Sequence, residues 1–218
     1  MNIGILKEKD PERRVALLPE LIKGFLKENQ IDIWVEKDGG KRSCCSGEMC
    51  EEAGAKVVER SEIFSNSDII GGLSGPDEEE LSKLSEKQVL LSTFQPLSHK
   101  SYVEKLLDRK ATSFSMDNIP RTSRAQSMDV LSSQATVAGY KAVIQAANYL
   151  PEFFPMFMTA AGTIKPAKVM VLGAGVAGLQ AIATARRLGA VVSAFDVRSA
   201  VKEEVVRSFE EPFDIVNL

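Results

Sequence analysis

Short apolar runs alternate with amphipathic stretches from the first residues of the chain onward. Ile3–Leu6, Asp32–Val35, Lys56–Glu59, Asp68–Leu73, Val89–Phe94 and Thr112–Ser115 have the length and β-rich character of strands. Pro19–Glu28, Gly47–Gly54, Pro76–Ser85 and His99–Arg109 read as helices, with apolar residues at helical spacing in Leu21-Ile22-Phe25-Leu26 and Tyr102-Leu106-Leu107. Such near-regular alternation predicts a parallel sheet covered on both faces. From Ser127 to Leu150 runs a longer helical stretch rich in small residues, among them Ala135, Ala138, Gly139 and Ala142, suited to close packing between two domains. The pattern restarts at Val169–Leu172, a continuous apolar run expected of a strand buried on both faces.

Composition narrows the class of function. With 218 residues, 44% hydrophobic and 26% charged, the chain matches ordinary globular proteins, which excludes disordered, collagen-like and membrane-embedded classes. Lys plus Arg number 27 against 30 Asp plus Glu, and no basic stripe points to a nucleic-acid partner. The amino terminus lacks the charged-then-apolar build of a signal peptide. The apolar stretch from Val143 to Ile164 carries Pro151, Glu152 and Pro155, so it predicts no membrane-spanning helix. Its Phe153, Phe154, Met156, Phe157 and Met158 are expected to pack between domains, a partner-binding patch being the alternative. Cys44, Cys45 and Cys50, with no His near them, are expected to be surface or half-buried thiols, not metal ligands or a disulfide framework.

The chemistry is concentrated where the restarted strand ends. Gly173-Ala174-Gly175-Val176-Ala177-Gly178 follows it directly, a helical stretch closes at Gly189, and a second strand, Val191–Phe195, ends in Asp196. An acid roughly 20 residues after a G-x-G-x-x-G turn flanked by strand and helix is the dinucleotide fingerprint. Gly173 permits the tight turn, Gly175 lets the backbone approach a pyrophosphate, and Gly178 lets helix and strand lie close. The exposed amides and positive end of the helix then hold the phosphates. Asp196 can accept the adenosine ribose hydroxyls. A 2′-phosphate about 4 Å from that carboxylate would meet a repulsion of about 4 kcal/mol at an effective dielectric near 20, so NAD(H) is preferred to NADP(H). A purely structural alternative stands beside this, in which the glycines make a tight turn and Asp196 caps a helix around residues 199–208. Arg198 can stack on adenine or sit in solvent.

Together with this fingerprint, the block Arg121-Thr122-Ser123-Arg124-Ala125-Gln126-Ser127-Met128-Asp129-Val130-Leu131-Ser132-Ser133 resembles the signature of the NAD-binding alpha subunit (domain I) of proton-translocating nicotinamide nucleotide transhydrogenase. The likeness continues through Ala138-Gly139-Tyr140, Thr159–Thr163, Pro166–Val169, and Lys7-Glu8 with Arg14-Val15-Ala16 and Pro19. It implies that Arg121, Asp129 and Ser132 hold the nicotinamide end of NAD(H), Arg121 and Ser132 addressing the carboxamide. It also implies that Gln126 lies where two nicotinamides meet, so that Gln126 and Asp129 serve the catalytic step, and that the Val176 backbone and Gly175 meet the pyrophosphate while Asp196 binds the ribose. The implied activity is hydride transfer from NADH to NADP⁺ held on a partner domain. The implied partners are a second copy in a homodimer and the membrane and NADP-binding subunits, which would place the chain in the cytoplasm at the inner membrane.

Alanine dehydrogenase shares the two-domain architecture and a similar opening sequence. Amino-acid oxidation moves protons as well as hydride, so it needs a general acid/base and a carboxylate clamp. Arg14 can clamp a carboxylate. Yet Gly71-Gly72-Leu73-Ser74-Gly75-Pro76 has no Lys where that enzyme carries one, and Gln95-Pro96-Leu97 has no His; His99 is expected to be a bystander. Direct hydride transfer between nicotinamides needs alignment and water exclusion instead, which favours transhydrogenation.

The expected architecture is therefore α/β, a flavodoxin-like domain over residues 1–126, then a linking helix and an incomplete Rossmann domain over 127–218. A helix at Ala200–Ser208 and a third strand at Phe213–Leu218 would finish only the first half of the dinucleotide fold, leaving Val169–Leu172 at an edge. On this reading the isolated chain binds NADH weakly and turns over nothing alone; a non-catalytic remnant is a further alternative.

Overall fold

The computed structural model of the protein describes residues 1–28 and 30–198, so the helix and strand expected over 200–218 lie outside the described residues. The chain divides into two compact units, the first Met1–Asp129 and the second beginning at Val130. In the first, β1 (Asn2–Ile5), β2 (Asp32–Glu36), β3 (Lys56–Val58), β4 (Ile69–Gly71), β5 (Val89–Ser92) and β6 (Thr112–Ser115) form one parallel sheet in the order β3-β2-β1-β4-β5-β6. This doubly wound order is one strand longer on the β2 side than the five-strand flavodoxin-like arrangement. The chain reverses direction of winding between β1 and β4, which makes their carboxyl ends the switch point of the sheet.

Helices α1 (Pro19–Glu28), α2 (Gly47–Glu52), α3 (Arg60–Asn66) and α4 (Lys100–Asp108) join the strands. Because successive side chains on a strand point to opposite faces, Ile5 and Leu6 enter different cores. Ile5 packs with Ile22, Ile33 and Val35, while Leu6 packs with Ile63, Ile70, Leu90 and Leu106. Each fully buried Ile or Leu among them contributes about 1.5–3 kcal/mol over remaining exposed.

Two elements of the first unit depart from expectation. Helix α3 has no counterpart in the sequence pattern: it is short, and its N-cap is Glu59, closed by a capping box with Glu62 in place of the usual Ser or Thr. Residues 76–85, expected to be a helix, make only a single tight turn over Glu80–Lys83. There Asp77 and Glu80 cap each other through backbone amides, and the Glu80 carboxylate is drawn to Arg60, at 2.6 and 2.7 Å. Cys45 and Cys50 are buried, flanking the Ser46 cap of α2 as its apolar staple, and Cys44 is exposed.

The second unit contains α5 (Val130–Tyr149), a hairpin of β7 (Phe157–Thr159) and β8 (Gly162–Ile164), then β9 (Lys168–Leu172), α6 (Val176–Arg187) and β10 (Val191–Phe195). β9 and β10 pair in parallel, Leu172 opposite Phe195. Gly139 of α5 serves this unit's own packing, since a Cβ there would stand 2.9 Å from the Ala177 carbonyl carbon at the start of α6, whereas Ala138, Ala142 and Ala146 are exposed. Phe154 is buried with Val143, Ala167, Ala181 and Ala185, whereas Phe153, Met156, Phe157 and Met158 are exposed on or beside the hairpin. β9 alternates rather than being buried on both faces. Val169 and Val171 turn to the core, but Met170 and Leu172 are exposed, because among the described residues only one face is covered. No helix among the described residues is long and apolar enough to cross a membrane.

Candidate functional site

The parallel register of β9 and β10 brings the glycine turn beside Asp196. Gly173 has φ of 92°, a left-handed conformation that a side chain would strain, and its amide donates to the Phe195 carbonyl at 2.7 Å. At Gly178 the constraint is contact: a Cβ would stand 2.8 Å from the Gly173 carbonyl carbon and closer still to its oxygen. Gly175 is different. It is the N-cap of α6 with ordinary φ of −74°, no side chain caps the helix, and the nearest atom to a Cβ there is Arg198 Nη2 at 3.8 Å. Nothing among the described residues requires glycine at 175. The space a Cβ would fill lies at the open start of a helix, where a pyrophosphate is stabilised by amides and helix dipole. The residues present thus fit a dinucleotide.

Asp196 is held by more than β10. Its Oδ2 accepts the Ala174 amide at 2.8 Å, and its Oδ1 accepts the Arg198 amide at 2.9 Å. Arg198 adds a fork, Nε to Oδ1 and Nη2 to Oδ2, both at 3.0 Å. The Arg198 side chain, then its amide and the Ala174 amide, hold the Asp196 carboxyl well below the usual carboxylate range. Asp196 is therefore ionised at physiological pH, but with a guanidinium on it. The charge argument for rejecting a 2′-phosphate is weaker than for a lone carboxylate, because the pair is close to neutral. The sequence carries no more of this pairing than an Asp-x-Arg spacing, and Arg198 is on the acid rather than loose in solvent. Capping of residues 199–208 by Asp196 falls outside the described residues.

The nicotinamide-end residues lie on the segment that crosses from one unit to the next. Arg121 is exposed on a loop of successive turns, and Gln126 is exposed at the start of the tight turn Gln126–Met128. Asp129 ends that turn, 8% exposed, with its amide on the Gln126 carbonyl at 3.3 Å. These three belong to the first unit. Ser132, half-buried in the first turn of α5, belongs to the second with Gly173, Gly175, Val176, Gly178 and Asp196.

The groups that amino-acid oxidation would need are engaged elsewhere. Arg14 does not present an open clamp: its Nε and Nη2 grip the Glu12 carboxylate at 2.9 and 2.7 Å. Those bonds, side chain first, pull the Glu12 carboxyl down to about 2. The Leu73 and Ser74 amides, at the switch point, donate to Glu8. His99 is exposed before α4, its Nδ1 3.0 Å from the Phe94 carbonyl oxygen.

Strand, glycine turn, helix and acid define a dinucleotide-binding α/β protein. The chain belongs to the alanine dehydrogenase/PNT family, whose N-terminal domain matches residues 4–138 and whose C-terminal domain matches residues 142–216. It is 44% identical over 212 residues to an NAD(P) transhydrogenase alpha subunit of Rhodospirillum rubrum, covering 94% of this chain and 55% of that protein. The crystal structure of transhydrogenase from Sinorhizobium meliloti superposes with a TM-score of 0.92 at 44% identity, covering 100% of this chain and 62% of that one. The alanine dehydrogenase of Methanococcus maripaludis is more distant, 26% identical over 204 residues, 91% of this chain and 54% of that protein. The chain spans about half the length of the curated relatives it matches.

Proposed function

We propose that this chain is the NAD(H)-binding portion of a proton-translocating transhydrogenase, presenting NADH so that hydride passes to NADP⁺ on a partner domain. The observation that carries the reading is the pairing of an open turn at Gly175 with an ionised acid, Asp196, tied to the adjacent Ala174 amide. The Val176 backbone, alongside Gly175, meets the pyrophosphate and Asp196 accepts ribose hydroxyls. Arg121 and Ser132 orient the carboxamide, Asp129 holds the nicotinamide end, and Gln126 sits toward the second nicotinamide. Bound there, NADH supplies the hydride, and no protein group has to carry a proton at the reacting carbons. The occupied Arg14 and the absence of Lys and His at the dehydrogenase positions support this reading over amino-acid oxidation.

The chain works in this reading as a homodimer, in the cytoplasm at the inner membrane, with membrane and NADP-binding subunits. The test is a titration of the full chain with NADH, followed by reconstitution with those subunits and reduction of an NAD analogue by NADPH. Saturable NADH binding and partner-dependent turnover are expected. Asp129→Asn and Arg121→Ala should each weaken NADH binding and slow turnover without changing stability. Absence of saturable NADH binding at millimolar concentrations refutes the reading, and unchanged variants refute the nicotinamide-end roles.

A further inference from the structure

Four donors converge on one small anion at the end of β10. The Ala174 amide, the Arg198 amide, and Nε and Nη2 of Arg198 all point at the Asp196 carboxylate, within 2.8–3.0 Å. A planar guanidinium fork supplemented by backbone amides is also the arrangement that phosphate oxygens accept. The same Nη2 lies 3.8 Å from where a Cβ on Gly175 would stand, so the guanidinium lies along the cofactor turn rather than away from it. Where an acid in this position accepts the ribose hydroxyls, the substituent on the 2′ oxygen falls beside that acid.

We propose that Arg198 makes this corner a latent 2′-phosphate pocket in which Asp196 is the plug. The choice between NAD(H) and NADP(H) is then set by the pair, not by Asp196 alone. The proposal rests on the NAD(H) reading above and deepens it. In the native chain the carboxylate occupies the donors that a 2′-phosphate would need, and discrimination comes from occupancy more than from bare charge. With the carboxylate removed, a phosphate can take its place on the donors that Asp196 now accepts from. Removing Arg198 instead leaves an uncompensated acid, which sharpens rejection of the phosphate.

The test uses the full 218-residue chain and two ligands that need only the adenosine half of the site, ADP-ribose and its 2′-phosphorylated form, titrated calorimetrically at low ionic strength. The native chain is expected to favour ADP-ribose. In Asp196→Ser the order inverts, with at least a tenfold gain for the 2′-phosphorylated ligand, and adding Arg198→Ala abolishes that gain. Asp196→Asn, which keeps an acceptor for the Ala174 amide, tests the same inversion should the serine variant misfold. Arg198→Ala alone is expected to raise the preference for ADP-ribose over the phosphorylated form at least threefold. No gain in either Asp196 variant, with ADP-ribose still bound, overturns the proposal while sparing the NAD(H) reading, as does a gain that survives Arg198→Ala. A native chain that binds neither ligand overturns both.

Discussion

Gly175 and Gly178 stand three residues apart in one motif, yet the structure assigns them opposite kinds of necessity. A Cβ at 178 meets backbone on the far side of the turn, 2.8 Å from the Gly173 carbonyl carbon and nearer to the oxygen. Neither partner can rotate away, so Gly178→Ala must push α6 off β9 by about an ångström. Overpacking of this kind costs about 1–3 kcal/mol, and the upper figure applies because the obstacle is main chain. For a unit of roughly 60–100 residues each 1 kcal/mol moves the midpoint by about 4–8 °C, so a fall of at least 10 °C is expected. At 175 the nearest atom among the described residues is 3.8 Å away and φ is already −74°. Gly175→Ala should therefore leave folding unharmed and even gain about 0.4–1 kcal/mol from the stiffer unfolded chain. It should weaken NADH binding by about tenfold or more, about 1.4 kcal/mol, because the methyl takes the place of phosphate oxygens.

Thermal unfolding followed by circular dichroism, with NADH titration of each folded variant, separates the two effects. If Gly178→Ala melts with the native chain, the close packing of turn and helix is refuted. If Gly175→Ala binds NADH as the native chain does, the turn is not where the pyrophosphate sits.

Other perturbations probe the first unit. Glu12 is pulled from its ordinary 4.5 to about 2 by Arg14, so its contribution to stability is complete above pH 4.5 and is lost as the pH falls toward 2. Glu12→Gln should flatten that part of a stability-against-pH curve, and an unchanged slope would refute the link. Arg60 joins Glu36 at 2.7 Å and Glu80 at 2.6 Å, all three largely covered, so Arg60→Ala strands two carboxylates together. A loss of about 3 kcal/mol is expected in urea unfolding, and a loss under about 0.5 kcal/mol would show that water replaces the guanidinium. Burial pushes the Cys45 and Cys50 thiols up while Cys44 is exposed. A thiol reagent should modify Cys44 in the native protein and the other two only on unfolding, as mass spectrometry can establish.

Period and punctuation carry most of the fold. The six strands of the first sheet and α5, α6, β9 and β10 all follow from apolar runs broken by Gly and Pro. Helix α3 does not, because Glu59 is a poor-looking cap whose partner, Glu62, acts only once the helix exists. The β7–β8 hairpin has every strand residue exposed, so it carries no alternation of buried and exposed positions to read. At the site, Gly173 and Gly178 are legible because turn and close packing demand glycine, and Gly175 and Asp196 because their spacing completes the fingerprint. Arg198 is not, since any of its rotamers suits an exposed position and only the structure shows which anion it grips.

The two units share a local arrangement at the end of a parallel strand pair, which only the second is proposed to use for a pyrophosphate. In both, an acid one place beyond the last register pair accepts an amide two places beyond the preceding strand. Glu36, following the Ile5–Val35 pair, takes the Lys7 amide at 2.8 Å; Asp196, following Leu172–Phe195, takes the Ala174 amide at 2.8 Å. In both, an arginine grips the acid, Arg60 in one and Arg198 in the other. They diverge at the next residue. Where the second unit has Gly175 and open space, the first has Glu8, whose carboxylate accepts the Leu73 and Ser74 amides at the switch point. A shared local geometry at the end of a parallel strand pair therefore does not imply a shared ligand. In the first unit the protein's own carboxylate stands where an anion could be received, and a phosphate there would have to displace a charge of its own sign. In the second, α6 begins at Val176 directly after the turn with no side chain capping it among the described residues, whereas in the first no helix begins until Pro19. In the proposed reading the helix start and Gly175 together therefore direct a pyrophosphate to the second unit.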